Sequence, residues 1–157
     1  MSARYAASTD VSSSRSRDEI ERTLSRYGAT QFMYGWDQTQ AVIGFAVNDR
    51  QVRFLLPMPD RTSRDFTRTP TGRTRSESEA QRTYEQAVKQ RWRALALVIK
   101  AKLEAVAAGI VTFEDEFAMH MILPDGRTVR DHVLPAIEQA YETGTVRPFL
   151  AIESGAS

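Results

Sequence analysis

The stretch that decides the fold is QFMYGWDQTQAVIGFAVNDRQVRFLL, residues 31–56. Large apolar side chains fall at every second position in most of this stretch, which is the period of a β-strand with one buried face. Polar residues separate three such runs. The sequence therefore predicts a three-stranded antiparallel meander with one aromatic-rich face.

The turn between the second and third runs sets their pairing. Asn48 and Asp49 can adopt the positive φ angles of a tight hairpin turn, which places Phe45 opposite Val52. A turn centred one residue later, at Asp49 and Arg50, keeps the same side chains on the same face, so the alternation alone does not choose between the two registers. Turn chemistry favours the first.

A helix is predicted before the meander. Ser16 and Glu19 have the spacing of a capping box, and Gly28 stands where a left-handed helix end belongs. Residues 1–15 are rich in Ser, Ala and Thr without apolar periodicity, so we expect a disordered tail there. Residues 151–157 are expected to form a second disordered tail.

Longer helical patterns follow the meander. Residues 80–107 carry apolar side chains at spacings of three and four, which predicts one long amphipathic helix. Thr112 is a cap for a short helix, and a turn from Val129 is expected to give way to another helix near Leu134, because Pro135 does not fit a helix interior. We expect that last helix to bury Ile137 and Tyr141. The fold class is α+β, with residues 16–150 as a single domain.

The charge is unevenly distributed along the chain. Residues 50–102 hold 13 Lys/Arg against 5 Asp/Glu, whereas residues 104–157 hold 3 basic and 9 acidic side chains. The irregular segment 60–79 contains five arginines, and we expect a mobile basic loop there. A basic surface of this kind can contact the phosphates of a polyanion. The predicted nucleic-acid-binding residues are Arg61, Arg64, Arg68, Arg73, Arg75, Lys89, Arg93 and Lys100.

Two other interpretations of these features stay open. The basic residues can form a solvated surface whose counter-charges come from the acidic C-terminal third. The strand aromatics are predicted to be core, apart from Tyr34 and Trp36 near a strand end, which are candidates for stacking on unpaired bases.

No catalytic residue, metal site or cofactor is predicted. Glu116 and His120 share a helix face but offer too few ligands for a metal ion, and His132 beside Asp131 is at most an oriented base. Cysteine is absent, and the glycines occur singly, without a phosphate-binding loop. If the chain were an enzyme, a metal-dependent nuclease built from scattered carboxylates would fit best.

Five segments carry a resemblance: ERTLSRYGATQFMYGW, RFLLPMPDR, QRWRALALVIKAKLEAV, FEDEF and MILPDGRTV. From about Ser16 to Tyr141 the chain resembles uncharacterised small proteins encoded in tailed-phage and prophage genomes. The resemblance implies a bacteriophage protein in the cytoplasm of a bacterial host cell, where DNA-transaction accessories and anti-defence inhibitors are common. It assigns no activity.

The expected function is therefore that of a nucleic-acid-binding accessory protein for DNA or RNA, with single strands among the candidate ligands. The alternative is a protein–protein inhibitor or adaptor acting on a host defence or nucleic-acid-processing protein. No membrane partner is expected, because no segment has the length and hydrophobicity of a membrane span. A homo-oligomer is compatible with both functions, since a three-stranded sheet has two edges.

Overall fold

A computed structural model describes the backbone of residues 2–148 and the side chains of residues 13–148. The predicted 151–157 tail lies outside these residues. The fold is α+β, as predicted, with a helix, a sheet, a long helix and shorter C-terminal helices. Its elements are α1 (Ser2–Arg26), β1 (Gln31–Trp36), β2 (Gln40–Val47), β3 (Arg50–Pro57), α2 (Arg64–Thr67), α3 (Glu77–Ala107), α4 (Phe113–Phe117), a 3₁₀ turn (Ala118–His120) and α5 (Val129–Thr143).

The sheet is the predicted antiparallel meander in the order β1-β2-β3. Phe45 lies opposite Val52, which is the favoured register. The turn between them has φ angles of 49° at Asn48 and 62° at Asp49. Both residues therefore adopt the left-handed conformation that a type I′ hairpin needs.

Helix α3 supplies the other half of the core. Trp92 is 1% exposed, and its ring meets the Tyr34 ring edge-on at 5.3 Å between centroids. A second aromatic cluster forms around Phe117, whose ring packs edge-on against the rings of Phe45 and Phe54. The apolar stripe predicted on this helix is confirmed at its buried positions, which are Tyr84, Val88, Trp92, Leu95, Ile99 and Leu103.

The far edge of β3 is partly covered by the segment after the 3₁₀ turn. Met121 forms an isolated antiparallel bridge with Val52, and the Ile122 amide donates to the Gln51 carbonyl oxygen at 2.8 Å. On the sheet face away from α3, Met33 and Leu55 stay 66% and 50% exposed. This outer face is thus only partly packed.

The start of α1 differs from the prediction. The helix begins at Ser2 and not at Ser16, so residues 2–15, expected as a tail, belong to it. Ser13 is 1% exposed, which shows that packing continues upstream of the predicted cap. Once a helix is nucleated, each added residue costs little, so a local capping motif does not fix where the helix starts.

Helix α5 also differs, because it runs without a break through Pro135. A proline inside a helix leaves the carbonyl four residues earlier without its N–H donor. Here the Arg127 guanidinium donates from Nη2 to that oxygen, the Asp131 carbonyl, at 3.2 Å. The predicted burial of Tyr141 is wrong, since its side chain is 89% exposed. Helix α5 packs mainly on the 3₁₀ turn, and none of its side chains is fully buried.

The 60–79 segment contains more regular structure than a mobile loop would. It includes α2, a bridge between Arg68 and Thr74, and the first turn of α3, which is capped by Ser76. Phe66 is buried against Tyr84 with ring centroids 5.5 Å apart, so the segment is anchored on α3. Its mobility stays a prediction.

Candidate nucleic-acid interface

Three of the predicted basic residues lie on one side of α3. Lys89, Arg93 and Lys100 are exposed, and their spacings of four and seven place them within ~40° of one another around the helix axis. Together they cover ~17 Å along the helix. Arg82 falls on the same side, seven residues before Lys89. We call Lys89, Arg93 and Lys100 the basic stripe.

The basic stripe carries uncompensated charge. In the described part of the chain, none of its three side chains has a carboxylate oxygen within 4 Å. The ion pairs seen in that part of the chain involve other cations. The carboxylates of the C-terminal third pair with Arg53 at 3.9 Å, Lys102 at 2.8 Å and His132 at 2.7 Å. The ion pairs of the acidic end therefore involve Lys102 on α3, Arg53 on β3 and His132 on α5, and not the basic stripe itself.

The loop arginines are held to different degrees. Arg64 and Arg73 are exposed, and Arg68 is exposed but donates to the Gly72 carbonyl oxygen at 3.4 Å. Arg61 donates to the Gln81 side-chain oxygen at 2.8 Å, and its guanidinium lies 5.8 Å from the centroid of the Tyr84 ring. The loop thus presents several cations to solvent from an anchored backbone.

Arg75 is placed differently from the other loop arginines. It is half-buried, and its Nη1 donates to the Thr83 hydroxyl at 3.0 Å and to the Asp65 carbonyl oxygen at 3.3 Å. These bonds tie α2 and α3 together. The structure therefore gives Arg75 a part in holding the loop, whereas its predicted phosphate contact remains a prediction.

The loop and the basic stripe do not share one surface. The loop contacts α3 through Gln81, Thr83 and Tyr84, and a cleft separates it from Ala87 and Ala94. Successive helix residues are ~100° apart, so the basic stripe projects ~100–160° away from the side that faces the cleft. The sequence suggested one continuous cationic surface formed by the loop arginines and the basic stripe. In the folded protein these residues lie on different sides of α3. There are two separate basic regions.

The two stacking candidates also differ. The Tyr34 ring packs on Trp92, and the Arg17 guanidinium lies 4.2 Å from its centroid, so a base stacking there would have to displace Arg17. Trp36 is 45% exposed, so part of its side chain is accessible from solvent. Of the pair, Trp36 is the better placed candidate.

The residues considered for catalysis are engaged in structural contacts. Glu116 accepts from Lys102 Nζ at 2.8 Å, and the His120 ring stacks on Phe54 with centroids 4.0 Å apart. His132 pairs through Nε2 with Asp125 at 2.7 Å and not with its neighbour Asp131. Among the residues that the structure describes, no three His, Asp or Glu side chains are grouped as a metal site requires.

The carboxylates near α5 are held in their charged form by hydrogen bonds. The Arg127 backbone N–H is the main cause that lowers the pKa of Asp125, with a smaller contribution from His132. Asp131 completes a capping box with Thr128, whose backbone and side-chain hydrogen bonds lower the pKa of that carboxyl group. These acids explain the start of α5 without a catalytic role.

Two features of α3 were missed by sequence reasoning. The first is the cleft of about 480 Å³ between the helix and residues 59–66. The second is an exposed apolar side of the helix, with Leu97 at 60% and Val98 at 45% exposure. Alanines recur on that side at intervals of seven residues. This pattern is easily missed when a helix is searched for a single buried stripe. That set is Ala87, Ala94, Ala101 and Ala108.

No helix within residues 2–148 combines the length and hydrophobicity needed to cross a membrane. Comparison of the chain with protein-family models, curated proteins and solved structures finds no match.

Proposed function

We propose that the protein binds nucleic acid by contacting phosphates through the basic stripe, with the exposed loop arginines as a second contact region. The observation that carries the proposal is the set of three aligned, exposed and uncompensated cations on one long helix. The resemblance to phage-encoded proteins suggests an accessory role in DNA or RNA transactions.

The dimensions of the stripe suit a phosphate backbone. One strand of B-form DNA carries a phosphate for every ~3.4 Å of helix axis, so the stripe spans about five phosphates. Lys and Arg on a helix face hold a backbone without reading its sequence. We therefore expect binding that is strongly salt-dependent and weakly sequence-dependent.

Removing the stripe should change the salt dependence in a defined way. Each phosphate contact contributes about −0.9 to the slope of log K against log salt for duplex DNA and about −0.7 for a single strand. Replacing Lys89, Arg93 and Lys100 with Gln should flatten the slope by about 2 to 3 if all three contact phosphates. Titrations with single- and double-stranded oligonucleotides at several salt concentrations measure both slopes.

A charge-matched control separates local contacts from net charge. Arg50, Arg130 and Arg147 are exposed residues outside α3, and their replacement with Gln removes the same total charge. This control should keep the slope of the unmodified protein. Equal slopes for both triple variants would overturn the assignment of binding to the basic stripe.

A second candidate function is that of a protein–protein inhibitor or adaptor, favoured by the outer sheet face. Met33 and Leu55 are 66% and 50% exposed there, so this face presents large apolar side chains to a partner. In this case a defined partner should co-purify after nuclease treatment, and Leu55→Glu should abolish its binding while the basic-stripe variant retains it.

A further inference from the structure

The cleft between α3 and residues 59–66 combines apolar walls with polar side chains. Its volume is about 480 Å³, and pockets for small ligands span ~300–1,000 Å³. Ala87 and Ala94 line it from α3, and Pro59 and Phe66 line it from the preceding segment. The two alanines are seven residues apart, so the apolar wall extends ~10 Å along the helix. The cleft is therefore large enough for a ligand of the size of a nucleobase.

Two carboxylates line the same cleft. Within residues 13–148, neither Asp60 nor Asp65 has a basic nitrogen within 4 Å. The Asp60 Oδ1 atom accepts from the hydroxyl and the backbone N–H of Thr62, and these bonds lower the pKa of Asp60. The Asp65 backbone is held on both sides, because its N–H donates to Ser63 Oγ and its carbonyl accepts from Arg75, each at 3.3 Å. No partner of the Asp65 carboxylate is seen in the described structure, so this group remains available as an acceptor.

The charges around the cleft decide which ligand suits it. Arg64 and Arg68 are exposed and lie within three residues of Asp65 in the chain. Arg91 lines the cleft, and its Nη1 donates to the Pro57 carbonyl oxygen at 2.6 Å. These three cations outnumber the two carboxylates, so a simple cation is a poor ligand. A nucleotide suits both signs, because its base offers N–H donors to a carboxylate and its phosphate offers negative charge to arginines.

We propose that the cleft holds an unpaired guanine, whose N1–H and N2 amino group both donate to the Asp65 carboxylate. Among the common bases, guanine alone has two adjacent donors on its Watson–Crick edge, and a carboxylate has two acceptor oxygens and no donor. Gln90 also lines the cleft, and its amide N–H is a donor of the kind that guanine O6 accepts. The proposal rests on the proposed function, since it gives the loop region of the nucleic-acid interface its ligand.

The basic stripe and the cleft then contribute differently to binding. The stripe contacts a phosphate backbone whatever its sequence, whereas the cleft adds a preference for guanine. In a duplex, the Watson–Crick edge of guanine is already paired with cytosine. We therefore expect the preference in single strands only.

Anisotropy titrations with labelled oligonucleotides test this preference. A short all-thymine strand is compared with the same strand carrying one central guanine, which should bind between about fivefold and a hundredfold more tightly. Inosine at the same position lacks the N2 amino group and should lose most of that gain. A duplex containing the same guanine should show no gain over one without it.

Asp65→Asn gives an effect that general damage to the fold would not give. The change removes one acceptor and one negative charge, so the variant should lose the guanine preference while binding the all-thymine strand at least as tightly as before. Asp18→Asn is the matched control, because Asp18 is exposed on α1 and its replacement changes the charge equally. It should keep the preference. A guanine preference that survives Asp65→Asn would overturn the assignment.

Free nucleotides separate this proposal from the proposed function. Guanosine monophosphate, followed by calorimetry, should bind more tightly than inosine monophosphate, and Asp65→Asn should remove the difference. Binding of the all-thymine strand without any guanine preference would overturn the guanine site and leave the proposed function standing. Discrimination between the two nucleotides without oligonucleotide binding would support the site and overturn the proposed function. No binding of either kind would overturn both.

Discussion

Replacement of Arg75 with Met should destabilise the protein and leave the salt dependence of nucleic-acid binding unchanged. The side chain is half-buried, and its Nη1 donates at 3.0 Å to the Thr83 hydroxyl and at 3.3 Å to the Asp65 carbonyl oxygen. The prediction therefore separates two roles for one arginine: a brace between α2 and α3, or a ligand for phosphate.

The magnitude follows from those two hydrogen bonds. A hydrogen bond from a charged group contributes about 1.5–3 kcal/mol when buried, and partial exposure of Arg75 reduces this through solvent screening. We therefore expect a total loss of about 1–3 kcal/mol in the free energy of unfolding, measured by urea denaturation. Met keeps most of the apolar stem, so the loss reports mainly the guanidinium.

The loss should be concentrated in the loop. Amide hydrogen exchange should accelerate over residues 61–75 more than in the centre of α3, because the brace holds only the loop side. Arg73→Met is the matched control, since Arg73 is exposed and no side-chain hydrogen bond is seen for it in the described structure. It should leave stability within about 0.5 kcal/mol. If Arg75→Met instead kept full stability and flattened the salt slope by about one unit, the brace would be refuted.

Three other outcomes are expected from the packing and hydrogen bonds. Burial lowers the pKa of His120 below its ordinary 6.5, and the charges of Lys102 and Arg130 lower it further. The unfolded chain therefore binds a proton at this site at a higher pH than the native state does. Stability should therefore fall as pH drops below about 6.5, and His120→Phe should remove that component of the decline in denaturation curves recorded between pH 7 and 5. Trp92→Ala should cost about 3–5 kcal/mol in urea denaturation, and the exposed Leu97→Ala far less. Arg127→Met should destabilise α5, and a double-mutant cycle with Pro135→Ala should show coupling, because Ala restores an N–H donor for the carbonyl that Arg127 now satisfies.

The sheet and the long helix could be predicted because their signals are periodic and local. Alternating side chains in residues 31–56 have only one face to bury, and the turn at Asn48 and Asp49 has φ angles that suit those residue types. The stripe from Tyr84 to Leu103 likewise admits one buried side. A one-residue shift in strand pairing, or a rotation of α3 about its axis, would expose the apolar side chains that are now buried.

The ends of helices could not be predicted in the same way. Ser16 and Glu19 match a capping motif, yet α1 begins at Ser2. Pro135 argues for a break that α5 does not have, because a side chain from outside the helix replaces the missing donor. Such compensation depends on three-dimensional neighbours, and a local pattern does not contain it.

The candidate site shows the same limit. The sequence identifies which residues are positive, but the side of α3 that the loop contacts is decided by Phe66 on Tyr84 and by Arg75 on Thr83. Those contacts place the loop away from the basic stripe. A count of charges along the chain cannot distinguish one cationic surface from two.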